Sequence, residues 1–324
     1  MRNSSKRVLP GWAIVVLDVL TLGVALCVFA LFHHVLPKYG GGPKLSIVNV
    51  QPSGNDAAAQ NAPPHASGTE SDSAVPAGNF SAAFPTEDTG AGADYSHQSD
   101  TVRVAVKGYS VDGVAYYVAD VWVKDISSFR TAFAKKQYGQ GIHQEFLKMA
   151  QDNKAIVAIS GDYYSARAKG IVVRNGQLYR DIPFEDVCVL YQDGVMETYT
   201  KDTFDIDDAI ARKAYQIWSF GPQLLENGQP MQDFNSSVKK ANPRCAIGYY
   251  APGHYCFVTV DGRQPGYSEG ITLQALSQLF YDLGCKAAYN LDGGQTAMMA
   301  YGNQLVNRPY HGGRESGDII FISD

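Results

Sequence analysis

The chain has 324 residues, 45% hydrophobic and 18% charged, with a formal net charge of −5. That length admits one large domain or two small ones, and with no long basic stretch there is no electrostatic footprint for a nucleic-acid partner. Twenty tyrosines and 32 glycines favour strands and turns.

Gly11 to Leu36 forms an apolar run interrupted by one charge, Asp18. About 20 apolar residues cross a bilayer's hydrocarbon core, so this run is long enough to span it. Asp18 lies towards the N-terminal side, where partial hydration lowers the cost of a buried carboxylate. Arg2, Lys6 and Arg7 precede the run, which puts residues 1–10 in the cytoplasm and everything after Leu36 outside. A cleaved signal peptide would end in a small-x-small site, and His33-His34-Val35-Leu36-Pro37 offers none. The expectation is an uncleaved, single-pass membrane anchor over residues 11–36.

Residues 37–100 are rich in Ala, Ser, Gly, Pro, Asn and Asp, and only Lys44 to Val50 could pair as a short strand. Such a composition buries too little apolar surface to offset chain entropy, so a flexible extracytoplasmic linker is expected, with the folded unit over 101–324. There, Val102–Val106 alternates as a half-buried strand, and Tyr116–Val123 and Ala155–Ser160 are β-rich apolar runs. Ile142, Phe146, Met149 and Ala150 fall at helical spacing, predicting a helix over Gly141–Asp152. Asn175-Gly176, Asp193-Gly194 and Asn227-Gly228 each sit between apolar stretches as hairpin turns. Arg244 to Asp261 reads as two strands about Ala251-Pro252-Gly253. A second helix runs from Thr272, an N-cap residue, to Gly284. Strands Ala287–Leu291 and Thr296–Tyr301 close the chain. The expected fold class is α+β: a mixed, hairpin-rich β-sheet core with packed helices, preceded by one transmembrane helix.

Beyond Cys27 the cysteines are Cys188, Cys245, Cys256 and Cys285. A turn centred on Pro252-Gly253 sets Cys256 opposite Tyr249 and Cys245 opposite Val260, so those two are not cross-strand neighbours. Buried free thiols and a disulfide both remain open. No C-x-x-C spacing and no His-rich ligand set points to a metal, and no cofactor is implied.

Four segments put polar residues at strand ends beside glycines: Ser160–Tyr164, Asn242–Gly248, Val260–Arg263 and Asn290–Thr296. Singly, an Asp-Gly pair is more often a turn than a site. Together, three carboxylates and two arginines at the ends of apolar strands suit a pocket for a phosphorylated sugar. Tyr163 and Tyr164 alternate across a strand, so one of them can face that pocket. Of the histidines, His311 beside Gly312-Gly313-Arg314 is the one worth testing.

These segments, with Ser219–Gly228, Gly270–Leu276 and Val306–Pro309 in the same order, resemble the phosphodiester glycosidase domain. That is the family of the mannose-6-phosphate uncovering enzyme and of many bacterial exopolysaccharide-associated proteins. The resemblance runs from about Thr101 to Asp324. Ser160 stands where the family usually has asparagine, Gln295 where glycine is common and Ala297 where a hydroxyl residue is common, all expected to line the pocket. The resemblance implies hydrolysis of a glycosyl phosphodiester, sugar-1-phosphate-R, at the anomeric carbon, in cell-surface glycan or exopolysaccharide metabolism. It implies Arg244, with Arg263 or Arg314, as phosphate holders, and Asp292 and Asp261 as base or nucleophile and its helper. Asp162 takes either part or holds sugar hydroxyls. Asn290, Gly293, Gly294, Thr296 and Tyr163 line the sugar or phosphate site. The alternative is a non-catalytic wall or polysaccharide binding module that uses the same pocket.

Overall fold

The computed structural model describes residues 78–324 apart from 88 and 235. The expected cytoplasmic tail, the expected anchor over 11–36, the expected Lys44–Val50 strand and most of the expected linker lie outside the described residues. Among the described residues no helix is long and apolar enough to cross a membrane.

Strands are numbered in chain order. One sheet has six strands in the order β1 (Tyr95–Gln98), β2 (Val102–Val111), β3 (Val114–Val123), β14 (His254–Val260), β13 (Arg244–Ala251) and β15 (Ala287–Asn290). A second has five: β7 (Gln177–Arg180), β6 (Val172–Arg174), β10 (Ala214–Trp218), β8 (Val187–Tyr191) and β9 (Met196–Tyr199). The third, also of five, runs β17 (Gln304–Leu305), β16 (Met299–Tyr301), β5 (Val157–Ser160), β18 (Asp318–Ile322) and β4 (Phe129–Phe133). A small hairpin joins β11 (Leu225–Glu226) to β12 (Gln229–Pro230).

The three sheets share one core. Val104, Val121, Ile247 and Phe257 of the six-stranded sheet meet Cys188, Leu190 and Trp218 of the second and Ile159, Met299 and Ile320 of the third. The opposite faces are apolar as well, and a helix covers each. Helix α1 (Phe146–Asp152) packs Phe146, Met149 and Ala150 on Ala158, Ile319 and Phe321. Helix α2 (Ile206–Ala211) lies over Val173, Val187, Val189 and Ile217. Helix α3 (Leu273–Asp282) sets Leu273, Leu276 and Phe280 on Ala246, Cys256, Val258 and Ala288. Burial on both faces explains why β5, β8 and β18 read as continuous apolar runs rather than alternating ones.

Every strand pairing among the described residues is antiparallel, so the sheets are not mixed as expected. The reason is topological. The crossover from β14 through α3 to β15 passes over β13, which lies between them and runs opposite to both. Thr272 caps α3 by accepting the Ala275 N–H at 3.1 Å, and Gly284 ends it with φ +83. The turns Asn175-Gly176 and Asn227-Gly228 take positive φ at both residues, as two-residue hairpins require.

Several boundaries differ from expectation. Helix α1 begins at Phe146 rather than Gly141: Gly141 has φ +69, and Gln144 bridges the extended chain at Ser316. An irregularity between Tyr249 and Ala251 shifts the β13–β14 register by one residue, pairing Cys256 with Gly248 and Cys245 with Thr259. All four described cysteines are buried free thiols, with Cys256 and Cys285 Sγ 3.6 Å apart. Thr296 belongs to a 3-10 turn, and its strand starts only at Met299.

The folded unit also starts before Thr101. Tyr95–Gln98 pairs with β2, the Phe80 N–H donates to the Lys124 carbonyl at 2.7 Å, and the Phe80 ring is buried at 4% exposure. That ring packs so closely over Gly194 and Gly253 that a Cβ on either would come within 2.4 and 2.8 Å of it. Phe80→Ala in the full chain is expected to cost roughly 3–5 kcal/mol of unfolding free energy, read from a urea titration. An unchanged midpoint would show that this segment does not belong to the core.

Candidate active site

Four strand ends converge. β5 delivers Gly161, Asp162 and Tyr163, β15 delivers Leu291 to Gly294, β13 begins at Arg244 and β18 at Asp318. Backbone bonds bind them: the Asp292 N–H donates to the Gly161 carbonyl at 3.3 Å, Leu291 to Cys245 at 2.7 Å and Gly294 to Pro243 at 3.0 Å. Gly293 is required by that approach, because a Cβ there would stand 2.5 Å from the Pro243 carbonyl oxygen.

Two cavities open at this junction. The larger, about 410 Å³, is lined by His143, Asp162, Tyr163, Asp292, Thr296 and Arg314, among others. The second, about 240 Å³, is lined by Arg244, Arg263, Asn290, Gly293, Gly294 and Gln295, again with Asp292 and Arg314. The Asp292–Arg314 pair therefore borders both. Arg314 Nη2 donates to Asp292 Oδ2 at 3.1 Å, and the Thr296 hydroxyl lies 2.7 Å from the same oxygen. Burial raises the Asp292 pKa above the ordinary carboxylate range, with the Thr296 hydroxyl, Arg314 and Arg167 opposing it.

Asp162 is fixed from three sides. Its Oδ1 accepts from Arg174 Nη2 at 2.8 Å and the Tyr164 N–H at 3.3 Å, and Oδ2 accepts from the Ser219 N–H at 3.1 Å. Arg174 also donates through Nε and Nη2 to Asp318 Oδ2, at 3.1 and 3.0 Å, and through Nη1 to the Ile217 carbonyl. One guanidinium thus serves two buried carboxylates. Among the described residues Asp318 Oδ1 has no hydrogen-bond partner, and it faces Gly161, where a Cβ would stand 2.3 Å away.

The arginines expected to hold phosphate differ in freedom. Arg244 is 3% exposed and donates to three backbone carbonyls, Ile271 at 3.3 Å, Val238 at 2.5 Å and Lys240 at 2.7 Å. Burial, with the neighbouring Arg263 charge, lowers its pKa to about 10. Arg263 donates twice to Asn242 Oδ1, at 3.1 and 2.8 Å. Asn290 donates to the Gly221 carbonyl at 2.8 Å, and its buried Oδ1 has no partner among the described residues.

Asp261 is not brought to this junction. It lines neither cavity, and its oxygens accept from Asn307 at 2.7 Å, Tyr267 at 2.9 Å and the Arg308 N–H at 2.9 Å. Of the three family departures, Gln295 lines a cavity, whereas Ser160 and Ala297 are buried and line neither. Among the histidines it is His143, not His311, that lines the larger cavity, its Nε2 3.2 Å from Ser165 Oγ. Arg174, Asp318 and His143 escaped the sequence reading. The available signal for the first two was a lone charge beside a run of apolar strand residues. Among the described residues no group of three His, Cys, Asp or Glu side chains is placed to hold a metal ion.

Residues 153–323 match the phosphodiester glycosidase family model. The chain belongs to that family. An SPbeta prophage-derived uncharacterized protein, YomE of Bacillus subtilis (strain 168), is 28% identical over 231 residues, covering 64% of this chain and 36% of that protein. The chain thus spans little more than a third of that relative. The catalytic domain of zebrafish N-acetylglucosamine-1-phosphodiester alpha-N-acetylglucosaminidase, auto-inhibited by its pro-peptide, superposes with a TM-score of 0.56 at 19% identity. That match covers 70% of this chain and 85% of the zebrafish domain. A hypothetical protein from Synechocystis gives 0.56 at 15% identity, covering 72% and 64%. At these identities the solved structures show the shared fold.

The buried triad carries a pH signature. Burial first, then the Asp162 and Asp292 charges, push Asp318 up to about 8, with Arg174 opposing. An unfolded aspartate releases its proton near pH ~4, so the stability supplied by this proton is complete below about pH 4. It is lost as pH rises through about 8. The urea midpoint of the wild type is expected to fall between about pH 5 and pH 9, and to fall less steeply in Asp318→Asn. Identical slopes in the two proteins would contradict this.

Proposed function

We propose that the chain hydrolyses a glycosyl phosphodiester, with the chemistry centred on Asp292, Asp162 and Arg314. The observation that carries this reading is the Asp292–Arg314 pair, which borders both cavities and so separates room for a sugar from room for what it is linked to. A phosphomonoester leaves readily, since its second pKa is about 6, so little help from a general acid is needed. The greater need is a base or nucleophile at the anomeric carbon and a cation for the departing phosphate. Asp292, raised above the usual carboxylate range by burial, suits the base. Asp162, held rigid by Arg174 and two backbone N–H groups, suits stabilisation of positive charge at the sugar ring. Arg314 meets the phosphate.

The test is incubation with an N-acetylglucosamine-1-phosphodiester and measurement of released sugar. Asp292→Asn is expected to lower kcat by roughly 10²–10⁴-fold, the range for loss of a general base. Activity should rise with pH as Asp292 ionises. Arg314→Ala should move that limb to higher pH, because the guanidinium now lowers the Asp292 pKa. Binding without release in the wild type and both variants would make the chain a non-catalytic glycan-binding module instead.

The reading extends to location: a membrane-anchored enzyme acting outside the cytoplasm on surface glycan or exopolysaccharide. It rests on the apolar run Gly11–Leu36 and the preceding Arg2, Lys6 and Arg7. In intact cells, added protease is expected to remove the folded unit while the chain sediments with membranes. A protease-resistant chain in the soluble fraction would contradict this placement.

A further inference from the structure

Two of the four described cysteines meet. Cys256 of β14 and Cys285, just after α3, bring their Sγ atoms to 3.6 Å. Cys188 and Cys245 lie elsewhere, in the core shared by the three sheets, with Cys245 Sγ against the Ser160 carbonyl at 3.4 Å. The pair sits apart from them, among Ala246, Val258 and Phe280.

The strand next to both sulfurs shows why they can meet. Gly248 of β13 pairs with Cys256 on one side and with Ala288 of β15 on the other. A Cβ at residue 248 would stand 2.7 Å from each sulfur and 2.8 Å from the Phe280 ring. Glycine inside a strand weakens it and often marks a close approach. Here the two thiols take the space that a side chain would need. Buried thiols can share a core as small apolar groups. Contact between the sulfurs themselves singles this pair out: an S–S bond is about 2.05 Å long, so only about 1.5 Å remains to close.

The two cysteines are unequally placed. Cys285 is 4% exposed and lies between exposed Gly284 and Lys286, whereas Cys256 is fully enclosed. Burial, then the adjoining Cys285 thiol, raises the Cys256 pKa well above the ordinary thiol value. Cys285 is therefore the point at which an outside reagent enters.

We propose that Cys256 and Cys285 form a modification site, closed to a disulfide by exchange with a small or protein-borne disulfide. The Cys285 thiolate attacks one sulfur of the oxidant R–S–S–R, giving a mixed disulfide and releasing one RS−. The Cys256 thiolate then attacks the Cys285 sulfur, forming the internal bond and releasing the second RS−. The two thiol protons end on two RSH molecules, so the pair loses two electrons and the oxidant gains them. Because buried Cys256 holds little thiolate, the second step is fastest before α3 docks. The two residues are 29 positions apart, and the ring so closed contains α3 and the segment leading to it. That segment carries Arg263 of the second cavity and Ile271, whose carbonyl accepts from Arg244 Nε at 3.3 Å. The bond is a covalent clamp on a segment that holds part of the site, whatever reaction the site performs.

The full chain, unfolded in urea with a reductant and refolded in mixed reduced and oxidised glutathione, tests this. Remaining thiols are alkylated under denaturing conditions, and the chain is digested without reduction for mass spectrometry. The expected product is a peptide pair joined through Cys256 and Cys285, with Cys188 and Cys245 alkylated. Reducing the refolded chain should lower its unfolding temperature by roughly 5–15 °C, the scale for a ring of this size in a domain this large. The same treatment should leave Cys285→Ala unmoved. Alkylation of Cys256 and Cys285 to the same extent as Cys188 and Cys245 overturns the proposal. An equal loss on reduction in the wild type and Cys285→Ala also overturns it, since the effect then belongs to another bond. The wild-type peptide map decides the matter even where the variant fails to fold.

Discussion

Arg174 holds the site together. It sits at the end of β6, donates to the Ile217 carbonyl of β10 within its own sheet, and reaches across to Asp162 after β5 and Asp318 at the start of β18. One side chain therefore fastens two separate five-stranded sheets where they meet. Removing one partner of a buried ion pair typically costs about 3–5 kcal/mol, far more than the pair gains over an apolar replacement. A site built this way gains fixed geometry more than stability. Asp162 cannot swing out of the larger cavity without leaving a buried guanidinium half-paired.

Close backbone approach is the second requirement. The segment after β15 reaches Pro243 and Arg244 only because residue 293 lacks a side chain, and the segment after β5 slides past Asp318 only because residue 161 does. These two contacts bring strand ends of two sheets to one junction, β13 and β15 from the six-stranded sheet and β5 and β18 from a five-stranded one. The three helices take little part in the chemistry. Their task is to cover the outer faces of sheets whose inner faces share a single core.

Much of this was legible in the sequence because the signals were local. The Asn-Gly hairpins, the Thr272 cap, the helix stripe ending at Gly284 and the glycine-flanked acids at strand ends depend on residues within a few positions of one another. What stayed hidden depended on distant partners. Asp261 follows the same acid-glycine pattern as Asp292, yet Asn307, Tyr267 and Arg308 take up its oxygens. Arg174 and Asp318 lie 144 positions apart, and their pairing has no local trace. Phe80 and Tyr95–Gln98 were lost in a segment whose average composition resembles a tether, because one buried ring and a four-residue strand hardly change an average. The β13–β14 register moved by one residue because an irregularity between Tyr249 and Ala251 cannot be read from a turn signal.

The chemistry turns on which bond breaks. A glycosidase cleaves between the anomeric carbon and oxygen, whereas a phosphodiesterase cleaves between phosphorus and oxygen, and both release the same two products. Turnover of an N-acetylglucosamine-1-phosphodiester in water enriched in heavy oxygen, followed by mass spectrometry of both products, separates them. Label in the anomeric hydroxyl of the released sugar and none in the phosphate is the predicted result. Label in the phosphate would contradict the roles given to Asp292 and Asp162.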